Sequence, residues 1–260
     1  MTYGHMARKT SPASKGRSGR ARASVPRIAL RDLTPRALLR RALFWLTRAA
    51  LAYAALILVL ILLYTFINPP ITLTMLSERR EVGVLVHDWV DADEMAPAVL
   101  RAVVAAEDAN FCEHWGFDMR AIRAAIDAGS NRGASTISQQ VVKNVFLWQG
   151  RSWPRKALEA VITPVVELVW SKRRILEIYL NVAEFDTGIF GVEAAAQGYF
   201  GVSADKLTAR QSALLAAVLP DPKGRDAAHP TAYLNRRAAS ITDGAATIRA
   251  DGRAQCFGKD

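Results

Sequence analysis

The stretch Pro97-Ala98-Val99-Leu100-Arg101-Ala102-Val103-Val104-Ala105-Ala106-Glu107 decides the fold class. Leu100, Val103 and Val104 recur at the i, i+3, i+4 spacing of one helical face. Helical spacing then runs almost throughout the rest of the chain, with breaks near Gly116, Gly129 to Gly133, Gly150, Gly188 to Gly191, Gly201 and Pro220. Helix starts are read at Ser135 or Thr136, at Ser152 before Pro154, and at Thr208, where Thr208 and Gln211 fit a capping box. These signals predict a mainly α fold, with one helical domain over residues 95–240. Residues 68–94 read as a short connector with small strands, because Ile71 to Met75 alternates and Val82 to Val86 is β-prone. Residues 241–260 are polar and Gly-containing and are expected to fray.

Upstream, residues 49–67 contain no charge and are apolar on every side. About twenty such residues cross a hydrocarbon core of roughly 30 Å. Phe44, Trp45, Tyr53 and Tyr64 lie towards the ends, where interfacial aromatics belong. Asn68-Pro69-Pro70 makes a poor cleavage site, so an uncleaved anchor is expected. Twelve Lys and Arg precede residue 49 against the single acid Asp32, a surplus exceeding the +10 of the whole chain. Residues 1–48 therefore read as a basic, disordered cytoplasmic tail, with the chain beyond the anchor outside. With the charge explained by topology and contact with anionic membrane lipids, nucleic-acid binding loses its support.

Cys112 and Cys256 lack metal-ligand spacing, and His5, His87, His114 and His229 are scattered, which disfavours a zinc site. In an oxidising compartment the two cysteines could pair, but nothing in their positions requires it.

Three segments carry chemistry. Glu107 occupies the next place on the Leu100, Val103, Val104 stripe, at the C-terminal end of its helix. Desolvation and the negative helix end both raise a carboxyl pKa there, towards acid–base use; a helix ending earlier would leave Glu107 merely exposed. Asp108 points elsewhere and ties down the following loop. Further on, Thr136, Gln139, Gln140 and Lys143 share a helical face opposite Ile137, Val141 and Val145. Hydroxyl, amides and ammonium beside a helix N-terminus suit a sugar bearing a phosphate, although a solvated face reads the same way. Finally, Arg151, Arg155 and Lys156 surround Glu159, either as a local ion pair or as a pyrophosphate cradle; spacing alone leaves both open.

Taken in order, Glu107 to Asp118, Gly133 to Asn144, Arg155-Lys156-x-x-Glu159, Ile175-Leu176-Glu177-x-Tyr179-Leu180-Asn181, Gly191-x-x-Ala194-Ala195 and Leu214-Leu215-Ala216-x-x-Leu219-Pro220 resemble the motifs of family 51 glycosyltransferases. These are the peptidoglycan glycosyltransferases, also found as the N-terminal part of bifunctional penicillin-binding proteins. The resemblance covers about residues 95–225. One anchor and no second large domain resemble the monofunctional members, and Ser203-Ala204-Asp205-Lys206 is a chance S-x-x-K match without transpeptidase meaning. Gln211 stands where relatives often carry Glu, and the stretch from Phe117 to Gly133 looks short.

The resemblance implies a lysozyme-like fold, anchored in the cell inner membrane with its catalytic domain periplasmic. The implied substrates are lipid II and the growing lipid-linked glycan chain, joined by inverting β-1,4 transfer. Glu107 is then the general base. Glu159, grouped with it as a catalytic carboxylate, organises cations or a divalent ion, magnesium or manganese, at the pyrophosphate. Lys143, Arg151, Arg155 and Lys156 are implied to meet leaving-group charge. Ser135, Thr136, Gln139, Gln140 and Asn144 are implied to hold sugar or phosphate, and Asp108, Phe111 and His114 are grouped with them as substrate contacts. Wall-synthesis or cell-division proteins are expected partners. Two rivals remain: a lytic, lysozyme-like hydrolase, which needs no cationic cradle, and a non-catalytic membrane scaffold, which needs neither cradle nor Glu107.

Overall fold

The computed structural model describes residues 1–2, 34–127, 135–150 and 152–258. Ten helices and three short strands are found among them. Helix α1 (Pro35–Tyr64) is the one helix among the described residues long and apolar enough to cross a membrane. Contacts divide the chain into Met1–Ala52 and Tyr53–Asp260. In the first unit α1 exposes Leu38, Leu43, Trp45 and Leu51, with Arg48 over the Phe44 ring. All the other helices and the strands belong to the second unit.

The last turns of α1 are fastened to this second unit. Ile57 and Ile61 are buried, the Trp170 indole N–H donates to the Ile61 carbonyl at 2.8 Å, and Arg174 donates to the Tyr64 and Ile67 carbonyls. Helix α2 (Leu73–Val82) comes next, where alternation predicts a strand. Thr72 caps it by accepting from the Met75 N–H, and Gly83 closes it at φ 76°. Local capping overrides the two-residue alternation. Only β1 (Val86–His87) remains of the expected small strands. It pairs in parallel with β3 (Ile189–Phe190), which pairs antiparallel with β2 (Glu184–Asp186). Gly188 turns the β2–β3 hairpin at φ 72°, where a Cβ would lie 2.8 Å from the Val84 carbonyl oxygen.

Two groups of helices form the core. Helix α3 (Pro97–Glu107) packs with α9 (Ala209–Val218) and α10 (Ala232–Ala250). Helix α5 (Ile137–Phe146) packs on α6 (Trp153–Val169) and α7 (Lys172–Val182). Between them in sequence lies α4 (Met119–Asp127), and α8 (Val192–Phe200) backs the small sheet. Asn181, at the end of α7, exchanges two 2.9 Å hydrogen bonds with the Val90 backbone, tying the entry of α3 to the second group.

Residues 241–258 do not fray. Residues 241–250 complete α10, Ile248, Ala254 and Phe257 are buried, and Cys112 is bonded to Cys256.

Candidate functional site

The sequence places a carboxylate at the end of α3, and the structure shows why its environment is unusual. Glu107 is the last residue of α3, where Leu100, Val103 and Val104 are buried on its own stripe. Its Oε2 accepts from the Gln140 amide at 2.9 Å. Tyr179, fully buried, donates its hydroxyl to Gln140 Oε1 at 3.2 Å, which leaves the NH2 end of that amide facing Glu107. Burial pushes the Glu107 carboxyl pKa up, against lowering by the Gln140 hydrogen bond and by Arg237 and Arg225. Tyr179 is held well above the ordinary phenol range by burial and by Glu107, so it remains a donor.

Glu107 opens into a cleft of about 800 Å³, whose other walls come from α5, α6 and the segment after α9. Lys143, one turn beyond Gln140, lines it, its pKa lowered by burial and by Arg155 and Lys156. Arg155 reaches Glu159 Oε2 at 2.7 Å while its Nε donates to the Gly150 carbonyl at 2.8 Å. Lys156 bonds the other Glu159 oxygen and Ser135 Oγ. The ion pairs of this segment form, and their cations still line the cleft. Glu159, with both oxygens paired and 2% exposed, fixes the cations in place.

Of the sequence-identified residues, the cleft gathers Glu107, Ser135, Gln139, Gln140, Lys143, Arg155, Lys156 and Glu159. Arg151 lies outside the described residues. Five others do not line this cleft. Thr136 is the buried N-cap of α5, bonded to the Gly116 carbonyl and the Gln139 N–H. Asn144 accepts from Gln149 at 3.3 Å. Asp108 is buried, accepting from the Ile137 N–H at 3.0 Å and meeting His114 Nε2 at 2.8 Å. Phe111 is wholly buried beneath the Lys172 ammonium, 4.4 Å from its ring centre. Thr136 and Asp108 hold the start of α5 against the loop after α3, because a helix N-terminus buried here needs acceptors for its free N–H groups.

The family model for transglycosylases matches residues 76–246. The chain belongs to the transglycosylase family. A biosynthetic peptidoglycan transglycosylase of Jannaschia sp. (strain CCS1) is 60% identical, covering 92% of this chain and 98% of that protein. Proteins of the same name from Xanthomonas campestris pv. campestris (strain B100) and Caulobacter vibrioides (strain ATCC 19089 / CIP 103742 / CB 15) are 51% and 48% identical, over 78% and 76% of this chain and 87% and 88% of their own lengths.

The transglycosylase match extends beyond the motifs read from sequence, and so does the site. Pro220, Arg225, Tyr233 and Arg237 close the cleft from the C-terminal side. Arg237 donates to the Ala106 carbonyl at 3.3 Å, and Arg225 donates to the Ala217 carbonyl at 2.7 Å while lying over Tyr233. No local spacing marks Arg225, Tyr233 and Arg237. Their role emerges only once α10 packs on α3.

Proposed function

We propose that this chain is a peptidoglycan glycosyltransferase that polymerises lipid II into linear glycan strands. One observation carries the reading: the half-buried Glu107 carboxylate, oriented by Gln140, shares a cleft with the Lys143, Arg155 and Lys156 cations. The Jannaschia relative, named a biosynthetic peptidoglycan transglycosylase, supports the same substrate. Glu107 takes the proton of the acceptor sugar's 4-hydroxyl as that oxygen attacks C1 of the lipid-linked donor. The C1–oxygen bond to pyrophosphate breaks with its electron pair, the anomeric centre inverts, and the cations meet the charge released. Ser135, Gln139 and Gln140 hold sugar or phosphate, and Glu159 organises cations.

We assign that charge to the cations and not to a protein-held divalent ion. Both oxygens of Glu159 are paired with Arg155 and Lys156, and Glu107 is bonded to Gln140, so the cleft's carboxylates form no ligand set.

Two features support an inner-membrane anchor with the tail cytoplasmic and the domain outside. Arginines crowd the N-terminal flank of the span, and the Cys112–Cys256 bond suits an oxidising compartment. Membrane lipids also find a partner in α6. Its exposed face is apolar along its whole length, with Trp153, Ala157, Val161, Pro164 and Leu168 all exposed.

Incubation with purified lipid II tests the function. Wild-type protein lengthens glycan chains, and Glu107→Gln slows this by about 10²–10⁴-fold, as loss of a general base requires, with its helical content unchanged. Solubilisation of finished cell wall in place of polymerisation overturns the reading.

A further inference from the structure

Helix α2, next in the chain after the anchor, touches both walls of the cleft without lining it. From one side of the helix, Thr74 accepts from the Gln149 amide at 2.5 Å. Gln149 and Gly150 line the cleft, Gln149 also bonds Asn144, and the Gly150 carbonyl receives Arg155 Nε. One turn on, Glu78 is buried and takes both hydrogen bonds of the Lys223 ammonium, at 2.6 and 2.7 Å. Lys223 also lies 3.6 Å from the Glu184 carboxylate of β2. It sits in the loop from Pro220 to Arg225, whose two ends line the opposite wall beside Glu107.

Residues four apart share a helix face, so Thr74 and Glu78 form one bridge from the cation wall to the Arg225 wall. A charge-assisted pair with one carboxylate buried is a costly way to hold a surface loop. Two carboxylates around one ammonium leave Glu184 Oε1 without a hydrogen bond, and burial pushes the Glu184 pKa up. Stability alone would be served as well by apolar packing.

We propose that α2 is a clasp: Thr74 and Glu78 are positioning residues that hold the Gln149–Gly150 wall and the Pro220–Arg225 wall at the separation glycosyl transfer needs. The clasp rests on the function proposed above for its effect on turnover, but not for its mechanics. Its signature is coupling across the cleft. Loosening the Glu78 end releases the Thr74 end, because both belong to one rigid helix.

Hydrogen exchange of the full-length protein in detergent reads this directly. In Glu78→Gln, amides of residues 147–150 exchange at least about tenfold faster, as do those of 220–226, although the Glu78 carboxylate is bonded to Lys223 in the second segment. Faster exchange confined to 220–226 overturns the clasp, whatever the enzyme does. If the variant unfolds, Lys223→Gln and Thr74→Val give the same reading from each end, and Lys223→Arg and Thr74→Ser restore it. With lipid II, Lys223→Gln lowers kcat at least about tenfold, as displacement of a catalytic wall predicts. Arg225 also recedes from Glu107, so the acid limb of kcat/KM moves to higher pH. An active wild type with an indistinguishable Lys223→Gln sinks the clasp alone; an inactive wild type sinks the function and leaves the exchange result to decide the clasp.

Discussion

Glu107 ends α3 with its carboxyl partly withdrawn from water and bonded to the Gln140 amide, and these effects oppose one another. Burial raises the pKa, while the amide and the nearby Arg225 and Arg237 favour the carboxylate. The base of the proposed function works only when ionised, so kcat/KM is expected to fall as pH drops through this raised pKa. Gln140→Leu removes a stabiliser of the charged form and moves the acid limb further up. Lys143 works in the other sense: burial and its cationic neighbours lower its pKa. Leaving-group stabilisation is therefore lost on the alkaline side at a pH below that of an ordinary lysine, and Lys143→Arg, which keeps its charge, flattens that limb. A pH series of kcat/KM on the three proteins checks both limbs; an acid limb at the ordinary carboxylate position contradicts the assignment. The carboxylate's place on an apolar stripe was legible in sequence because a helix period is local. Tyr179, Arg225 and Arg237 were not, since each reaches the site through packing between helices distant in the chain.

At the scale of elements, helix caps carried most of the legible information. Thr136, Ser152 and Thr208 each cap the helix expected of them, and Gln139 and Gln211 complete capping boxes. A side chain bonding a backbone N–H three residues away leaves a mark that spacing reveals. The C-terminal segment was misread because its support is remote. Phe257 packs on Phe111 with ring centres 6.3 Å apart, Arg173 donates to the Phe257 carbonyl, and Arg253 donates to the Ala109 carbonyl. The Cys112–Cys256 bond closes a sequence separation of 144 residues around these contacts. Such a closure removes freedom from the unfolded chain and stabilises by about 2–4 kcal/mol. Reduction, or the Cys112→Ser/Cys256→Ser pair, should lower the melting temperature in detergent by several degrees. Equal melting curves with and without reductant would show that the noncovalent contacts suffice.

For the molecule as a whole, the decisive geometry is how α6 turns two unlike faces outward and inward. At 3.6 residues per turn, Trp153, Ala157, Ala160, Val161, Pro164 and Leu168 fall within an arc of about 100°. Arg155, Lys156, Glu159 and Glu167 all lie on the remaining circumference, buried or facing the cleft. Trp153 is 88% exposed, Val161 69% and Leu168 70%, an apolar stripe that water would penalise along seventeen residues. The stripe ends beside Trp170, whose indole is bonded to the Ile61 carbonyl near the end of the apolar anchor helix. On the proposed function, this apolar outward face is the one that would meet the bilayer surface, with Arg155 and Lys156 turned towards the lipid-linked pyrophosphate. Each large side chain buried contributes about 1.5–3 kcal/mol to that seating. The double change Val161→Asp, Leu168→Asp should therefore lower polymerisation several-fold in lipid vesicles and leave it near wild type in detergent micelles, where the substrate needs no fixed depth. Turnover measured in both media on the same preparation separates the outcomes. Equal loss in micelles would mean that the stripe serves the fold itself, and unchanged rates in vesicles would place α6 away from the lipid.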